Sequence, residues 1–175
     1  MEAKHELKMV SVRLVEDPPL LGSKRVKNVE DAAELIAKEL HDYDRELFCI
    51  LNLRTDGQPI NANIVTMGTL NASLVCPREV FKSSILSNAA QAVLIHNHPS
   101  GNSTPSKEDV NMTKRLQICG DMIGIPVVDH IITNCYGEYF SFFENGLMAE
   151  VGEIWKEMKV AEDKIPYAVN EGPKR

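Results

Sequence analysis

The chain has 175 residues, a one-domain length that can bury a good core without disulfide staples, and its 43% hydrophobic and 25% charged residues are ordinary globular composition. A net charge of −6 argues against broad nonspecific nucleic-acid binding, which needs a basic surface, though not against a local basic patch. No stretch reaches the roughly 18 apolar residues of a membrane helix, and the opening MEAKHELK lacks an apolar signal core, so a cytoplasmic protein with no membrane partner is expected. Lys8 to Glu16 (KMVSVRLVE) alternates polar and apolar residues, the pattern of a half-buried strand. DPPLLGSKRVK is a breaker-rich connector. Asn28 caps a helix running through Leu40, with Ala32, Ile36, Ala37 and Leu40 on one side. ELFCILNL, opening at Glu46, is as densely apolar as a central strand buried on both faces. Thr55-Asp56-Gly57 is a turn signal, and a second strand follows through about Met67. A helix is expected from Pro77 to Ala90, a strand over Ala92 to Ile95, a helix from Ser106 to Cys119, and strands over Pro126 to Thr133 and Tyr139 to Phe143. From Gly146 onward, Leu147, Val151, Ile154, Trp155 and Met158 outline an amphipathic helix, and the tail AEDKIPYAVNEGPKR is expected to be mobile. Cys49, Cys76, Cys119 and Cys135 are scattered with no CxxC, and read as buried free thiols.

The chemistry concentrates in AVLIHNHPSGNSTPSKEDVNMTKRL, Ala92 to Leu116. His96 and His98 end an apolar run, and a period of two puts both imidazoles on one face. Two neutral imidazoles are half of a transition-metal site, and Asp109, on the first turn of the following helix, is placed to be the third ligand. Three protein ligands leave an open position on a tetrahedral zinc, the catalytic rather than the structural arrangement. A bare His-x-His is a weak signal, and Ser106-x-x-Asp109 also reads as a helix cap; the two readings are compatible. Glu46, at the start of a buried strand, reads by itself as a solvated strand end. Glu79 suits the first turn of a helix without catalysis, Glu108 should point away from Asp109, and Glu138 is a further rival carboxylate. His130 reads as a strand histidine beside Asp129, with a supporting role next to the site as the alternative.

His96-Asn97-His98-Pro99, six residues, Ser106, two residues and Asp109 resembles the His-x-His-Pro…Ser-x-x-Asp signature of the JAMM (JAB/MPN+) metalloproteases. HNHPSGNSTPSKEDV is closer still to the RadC-like branch, and the similarity extends to REVF (Arg78 to Phe81), MGTL (Met67 to Leu70) and DHIIT (Asp129 to Thr133), covering about Glu46 to Phe143. The resemblance implies a mixed α/β fold, a central sheet flanked by helices of the JAMM/MPN (cytidine-deaminase-like) kind. The metal-binding domain would span residues 29–145, preceded by a strand and connector over 1–28 and followed by a helix and tail over 146–175. It implies one Zn2+ per chain on His96, His98 and Asp109, with Glu46 as general base and Ser106 as oxyanion donor. The reaction implied is hydrolysis of an amide or isopeptide bond in a protein or peptide substrate whose identity the sequence leaves open, as it does the oligomeric state. The RadC-like branch carries a DNA-repair association and often a helix-hairpin-helix segment before the metal domain. This chain is too short at its N-terminus for one, and shows no hairpin glycine pattern, which weakens direct DNA contact. Two alternatives stand beside the peptidase: a DNA-repair or mobile-element accessory protein that binds metal without proteolysis, and a hydrolase of a non-peptide bond such as a phosphodiester. Metal stoichiometry separates the last, since two ions would favour phosphoryl transfer.

Overall fold

The structure is a computed structural model, and it describes residues 11, 13–18, 27–40, 43–68, 75–150 and 152. Its elements in chain order are α1 (Val29–Leu40), β1 (Leu47–Leu53), β2 (Pro59–Met67), α2 (Pro77–Val80), α3 (Lys82–Leu86), β3 (Gln91–His98), α4 (Lys107–Met122), β4 (Val127–Asn134) and β5 (Tyr139–Ser141). The strands form one mixed sheet in the order β2-β1-β3-β4-β5. All pairs are antiparallel except β3 with β4, which α4 joins as a βαβ crossover. The mixed α/β fold with a helix-flanked central sheet is the one expected.

β1 is buried at every position, because its apolar run faces a helix layer on each side. On one face Leu47, Cys49, Leu51, Val93 and Ile95 pack under α1, which presents Ala32, Ala33, Ile36 and Leu40. On the other, Phe48, Ile50 and Leu94 meet Val80, Phe81, Met112 and Leu116 from α2–α4. A fully buried leucine such as Leu116 contributes about 1.5–3 kcal/mol relative to exposure. Asn28 caps α1 as expected, its side-chain oxygen accepting the Asp31 N–H at 2.8 Å. The β1–β2 hairpin closes on Gly57, whose φ of +79° suits glycine.

The segment Pro77 to Ala90 differs from the single helix expected. It forms two short helices interrupted at Phe81, and helix ends at Leu86. Asn88 takes a left-handed conformation, φ 51°, and the Ala89 N–H then bonds back to the Ser84 carbonyl at 3.0 Å. That is a C-terminal cap, to which asparagine is suited, and it turns the chain into β3. β5 ends at Ser141 rather than Phe143, because the Phe143 N–H leaves the ladder for the Asp129 carboxylate at 2.8 Å. The four cysteines are free, but Cys49 alone is fully buried and the other three are half-buried. Of the strand expected over Lys8 to Glu16, only Ser11 and Arg13–Glu16 are described; they are exposed and belong to no strand. Of the helix expected from Gly146 onward, Gly146 to Glu150 are described and form a turn and irregular chain rather than helix; the rest beyond Gly152, and the tail, lie outside the described residues.

α4 carries the site. Asp109, Met112, Thr113, Leu116, Gln117 and Gly120 are its buried residues, one stripe at helical spacing against the sheet. At Gly120 the helix comes so close to its neighbour that a Cβ would lie 2.5 Å from the Ile125 carbonyl oxygen, which leaves room only for glycine. The stripe begins at Asp109, so seating α4 on the sheet brings its first turn over the C-terminal end of β3, where the two histidines lie.

Candidate metal centre

His96 and His98 end β3 two residues apart and share the face that looks toward α4. Their Nε2 atoms are 2.9 Å apart. Asp109 Oδ1 lies 3.4 Å from His96 Nε2, and Oδ2 lies 3.7 Å from His98 Nε2. One ligand atom from each of the three residues falls within 4.8 Å of the others, a group that could hold a metal ion.

The other ring nitrogen of each histidine is engaged away from the cluster. His98 Nδ1 is 2.7 Å from the Asn102 carbonyl oxygen, which can only accept, so the ring donates there and turns Nε2 toward the cluster. His96 Nδ1 is 2.7 Å from His130 Nε2. Burial pushes the His96 imidazolium down to about 3, with His98 adding to the effect and Asp109 opposing it, so His96 is neutral at physiological pH. Burial likewise holds His130 well below the ordinary range, and His96 and His98 add to it. Phe48 stacks beside His96 and Phe142 beside His130, walling this side of the pocket with apolar rings.

Asp109 is aimed by a capping box. Ser106 Oγ accepts the Asp109 N–H at 3.1 Å, while Asp109 Oδ2 accepts the Ser106 N–H at 2.7 Å and its hydroxyl at 2.5 Å. The cap and ligand readings of Ser106-x-x-Asp109 are thus one arrangement: the cap fixes the carboxylate with Oδ1 toward His96. Two imidazole nitrogens and one carboxylate oxygen are the donor set of a borderline-soft divalent ion with an open position, so these residues fit zinc-type coordination.

Glu46 is half-buried and immediately precedes β1. The β1–β3 ladder ends at Phe48↔His96, two residues beyond Glu46. Its backbone is held on both sides by Asn97, the residue between the histidines. Asn97 Oδ1 accepts the Leu47 N–H at 2.7 Å, and Nδ2 donates to the Arg45 carbonyl at 3.1 Å. Glu46 is outside the three-residue cluster, as are the rival carboxylates. Glu138 accepts from Asn134 Nδ2 at 2.9 Å in the β4–β5 turn, Glu79 is ion-paired on the surface with Lys82 and Arg78, and Glu108 is exposed.

Asn97 and Thr113 were not singled out in the sequence. Period two turns Asn97 to the face opposite its neighbours, which hides it from a search for ligands. Thr113 lies one helical turn past Asp109, a spacing that would have marked it only once Asp109 was placed. A groove of about 720 Å³ between α1 and β4–β5, lined by Ala33, Ile131, Tyr139 and Glu144 among others, lies on the other face of the sheet. We place the chemistry at the converging donors rather than in that groove, which contains none of them.

A helix-flanked mixed sheet with a His-x-His at the end of a parallel strand, completed by a capped aspartate, defines a JAB-type domain with a candidate metal centre. Residues 26–147 match the family described as the RadC-like JAB domain, and the chain belongs to that family. Over 103 residues it is 50% identical to a UPF0758 protein of Desulforamulus reducens, covering 59% of this chain and 45% of the relative. UPF0758 proteins of Shouchella clausii and Clostridium acetobutylicum are 41% and 42% identical over 126 residues each, 72% of this chain and 54% and 55% of theirs. The chain spans about half the length of these relatives. Among the described residues no helix is long and apolar enough to cross a membrane.

Proposed function

We propose that this domain is a zinc-dependent hydrolase of the JAMM type, a metallopeptidase that cleaves an amide or isopeptide bond. The observation that carries the reading is the convergence of His96 Nε2, His98 Nε2 and the Asp109 carboxylate, three protein ligands rather than a closed set of four. Bound there, zinc supplies Lewis-acid polarisation and a water of lowered pKa. Glu46 is the proposed base: its carboxylate takes a proton from the attacking water and delivers it to the leaving amine. Its position two residues before Phe48, the partner of His96 in the ladder, and outside the ligand cluster supports a proton-transfer role over coordination. Ser106 is the proposed oxyanion donor. Its single hydroxyl proton is on Asp109 here, so serving an oxyanion requires that hydroxyl to rotate, and the Ser106 N–H would still hold the carboxylate.

The substrate is proposed to be a protein or peptide. Comparing the cleavage products left in a proteome by the zinc-loaded wild type and by zinc-loaded Glu46→Gln tests the reading. Peptide termini that depend on Glu46 support it. Identical product sets with zinc fully held would leave the alternative, an accessory protein that binds metal without proteolysis. Two zinc ions per chain would move the reading to phosphodiester chemistry.

A further inference from the structure

His130 and Thr113 lie outside the ligand set, yet both are buried and lead directly to it. Thr113 Oγ is 2.6 Å from the Asp109 carbonyl oxygen and 2.6 Å from His130 Nδ1. His130 Nε2 is in turn 2.7 Å from His96 Nδ1.

The protons along this chain can be placed by elimination. The Asp109 carbonyl only accepts, so the one hydroxyl proton of Thr113 goes there. Thr113 Oγ must then accept from His130, which puts the His130 proton on Nδ1. A neutral imidazole protonated on Nδ1 has a bare Nε2, and that nitrogen can only accept. His96 Nδ1 must therefore be the donor in the last link, which leaves His96 Nε2 bare, an acceptor 2.9 Å from His98 Nε2 and 3.4 Å from Asp109 Oδ1. The chain closes on itself: the backbone carbonyl of Asp109 ends it, and the carboxylate of the same residue faces the nitrogen it prepares.

We infer that His130 and Thr113 are positioning residues that lock His96 in the Nδ1–H tautomer, so that its Nε2 lone pair is ready for the metal before any metal arrives. The inference rests on the metal-centre reading for its purpose, but the tautomer itself is a property of the metal-free protein. His98 Nδ1 is likewise a donor, but to one backbone carbonyl, that of Asn102. His96 lies at the floor of the site with no exposed surface, and the acceptor of its Nδ1–H is a second side chain whose own proton must first be fixed. This explains a hydroxyl and an imidazole in a pocket walled by Phe48 and Phe142, where apolar side chains would otherwise pack.

Two readouts test the relay. Long-range proton–nitrogen NMR of metal-free wild type should show His96 and His130 protonated on Nδ1 and bare on Nε2. Zinc affinity, measured by competition with a chromophoric chelator, should fall about 10–100-fold in His130→Leu, the usual cost of losing a partner of a ligating histidine. In His130→Gln it should recover to near wild type, since the introduced amide oxygen can accept from His96 Nδ1–H. A merely space-filling His130 would give the opposite order, with leucine tolerated in the apolar pocket and glutamine not. Thr113→Val keeps shape and removes the acceptor, and should weaken zinc binding while mixing the His130 tautomers. A His96 protonated on Nε2 in the metal-free wild type, or unchanged zinc affinity in His130→Leu, overturns the inference. If wild type shows the tautomers but takes up no zinc, the relay stands and the metal reading fails. Should the His130 variants not fold, the wild-type spectrum and Thr113→Val still decide.

Discussion

Asp109 Oδ2 accepts both the backbone N–H and the hydroxyl of Ser106, at 2.7 and 2.5 Å, while Oδ1 is left 3.4 Å from His96 Nε2. A helix cap and a candidate ligand are one residue pair, so local stability and site geometry are coupled at the start of α4.

Ser106→Ala removes half of the capping box. Thermal and denaturant unfolding should show a loss of about 1 kcal/mol. Zinc should still bind, because Ser106 lies outside the ligand set and its backbone N–H continues to orient Asp109. Turnover on any substrate found should drop about 10²–10³-fold, the loss typical of removing an oxyanion donor. A variant with full turnover would remove Ser106 from the mechanism.

Glu46→Gln keeps size and hydrogen bonding but cannot accept a proton. It should fold, hold zinc as tightly as wild type, and lose about 10²–10⁴-fold in turnover, the contribution of a positioned base. Loss of zinc would make Glu46 a ligand, and full activity would transfer the base to another carboxylate, with Glu138 the next to replace.

Asn97→Ala should be more costly than its place between two ligands implies. It strips the buried Leu47 N–H of its acceptor and the Arg45 carbonyl of a donor. Leaving such a group unpaired costs about 1–3 kcal/mol, read as a lowered denaturation midpoint. Zinc content should stay at the wild-type level, since Asn97 faces away from the metal site. An unchanged midpoint would show that the clamp on the Glu46 backbone is dispensable.

Much of this was legible in the sequence, and the exceptions have physical causes. β1 announced itself by a dense apolar run, and His96, His98 and Asp109 by a spacing whose same-face geometry follows from period two and a helix start. The break at Phe81 and the left-handed Asn88 were not legible, because nothing in KSSILSNA stops a helix as proline would; closure onto Ser84 and the entry into β3 end it there. The relay through Thr113 and His130 was hidden for a different reason. Its members come from three elements and meet only when α4 seats across the β3–β4 pair. His130 could be suspected beside the site, but the direction of its hydrogen bonds could not be read without Thr113 opposite it.

Cys49 offers a pH test away from the site. Burial pushes its thiol from 9.0 up to about 12, so in that window the native state keeps a proton that the unfolded chain loses. The contribution is fully present below pH 9.0 and is lost as pH rises toward 12. Denaturant unfolding across this window should give a steeper alkaline loss of stability for wild type than for Cys49→Ala. Native-state alkylation should spare Cys49 and modify Cys76, Cys119 and Cys135 first. Equal slopes, or rapid labelling of Cys49, would contradict its burial.

The most direct test of the metal centre is zinc content per chain, measured by elemental analysis after equilibration with limiting chelator. Wild type should retain one zinc per chain, and His96→Ala/His98→Ala should retain none while staying folded, because three ligands leave no redundancy once two are removed. Full zinc retention in the double variant would show that the metal lies elsewhere and would contradict the assignment.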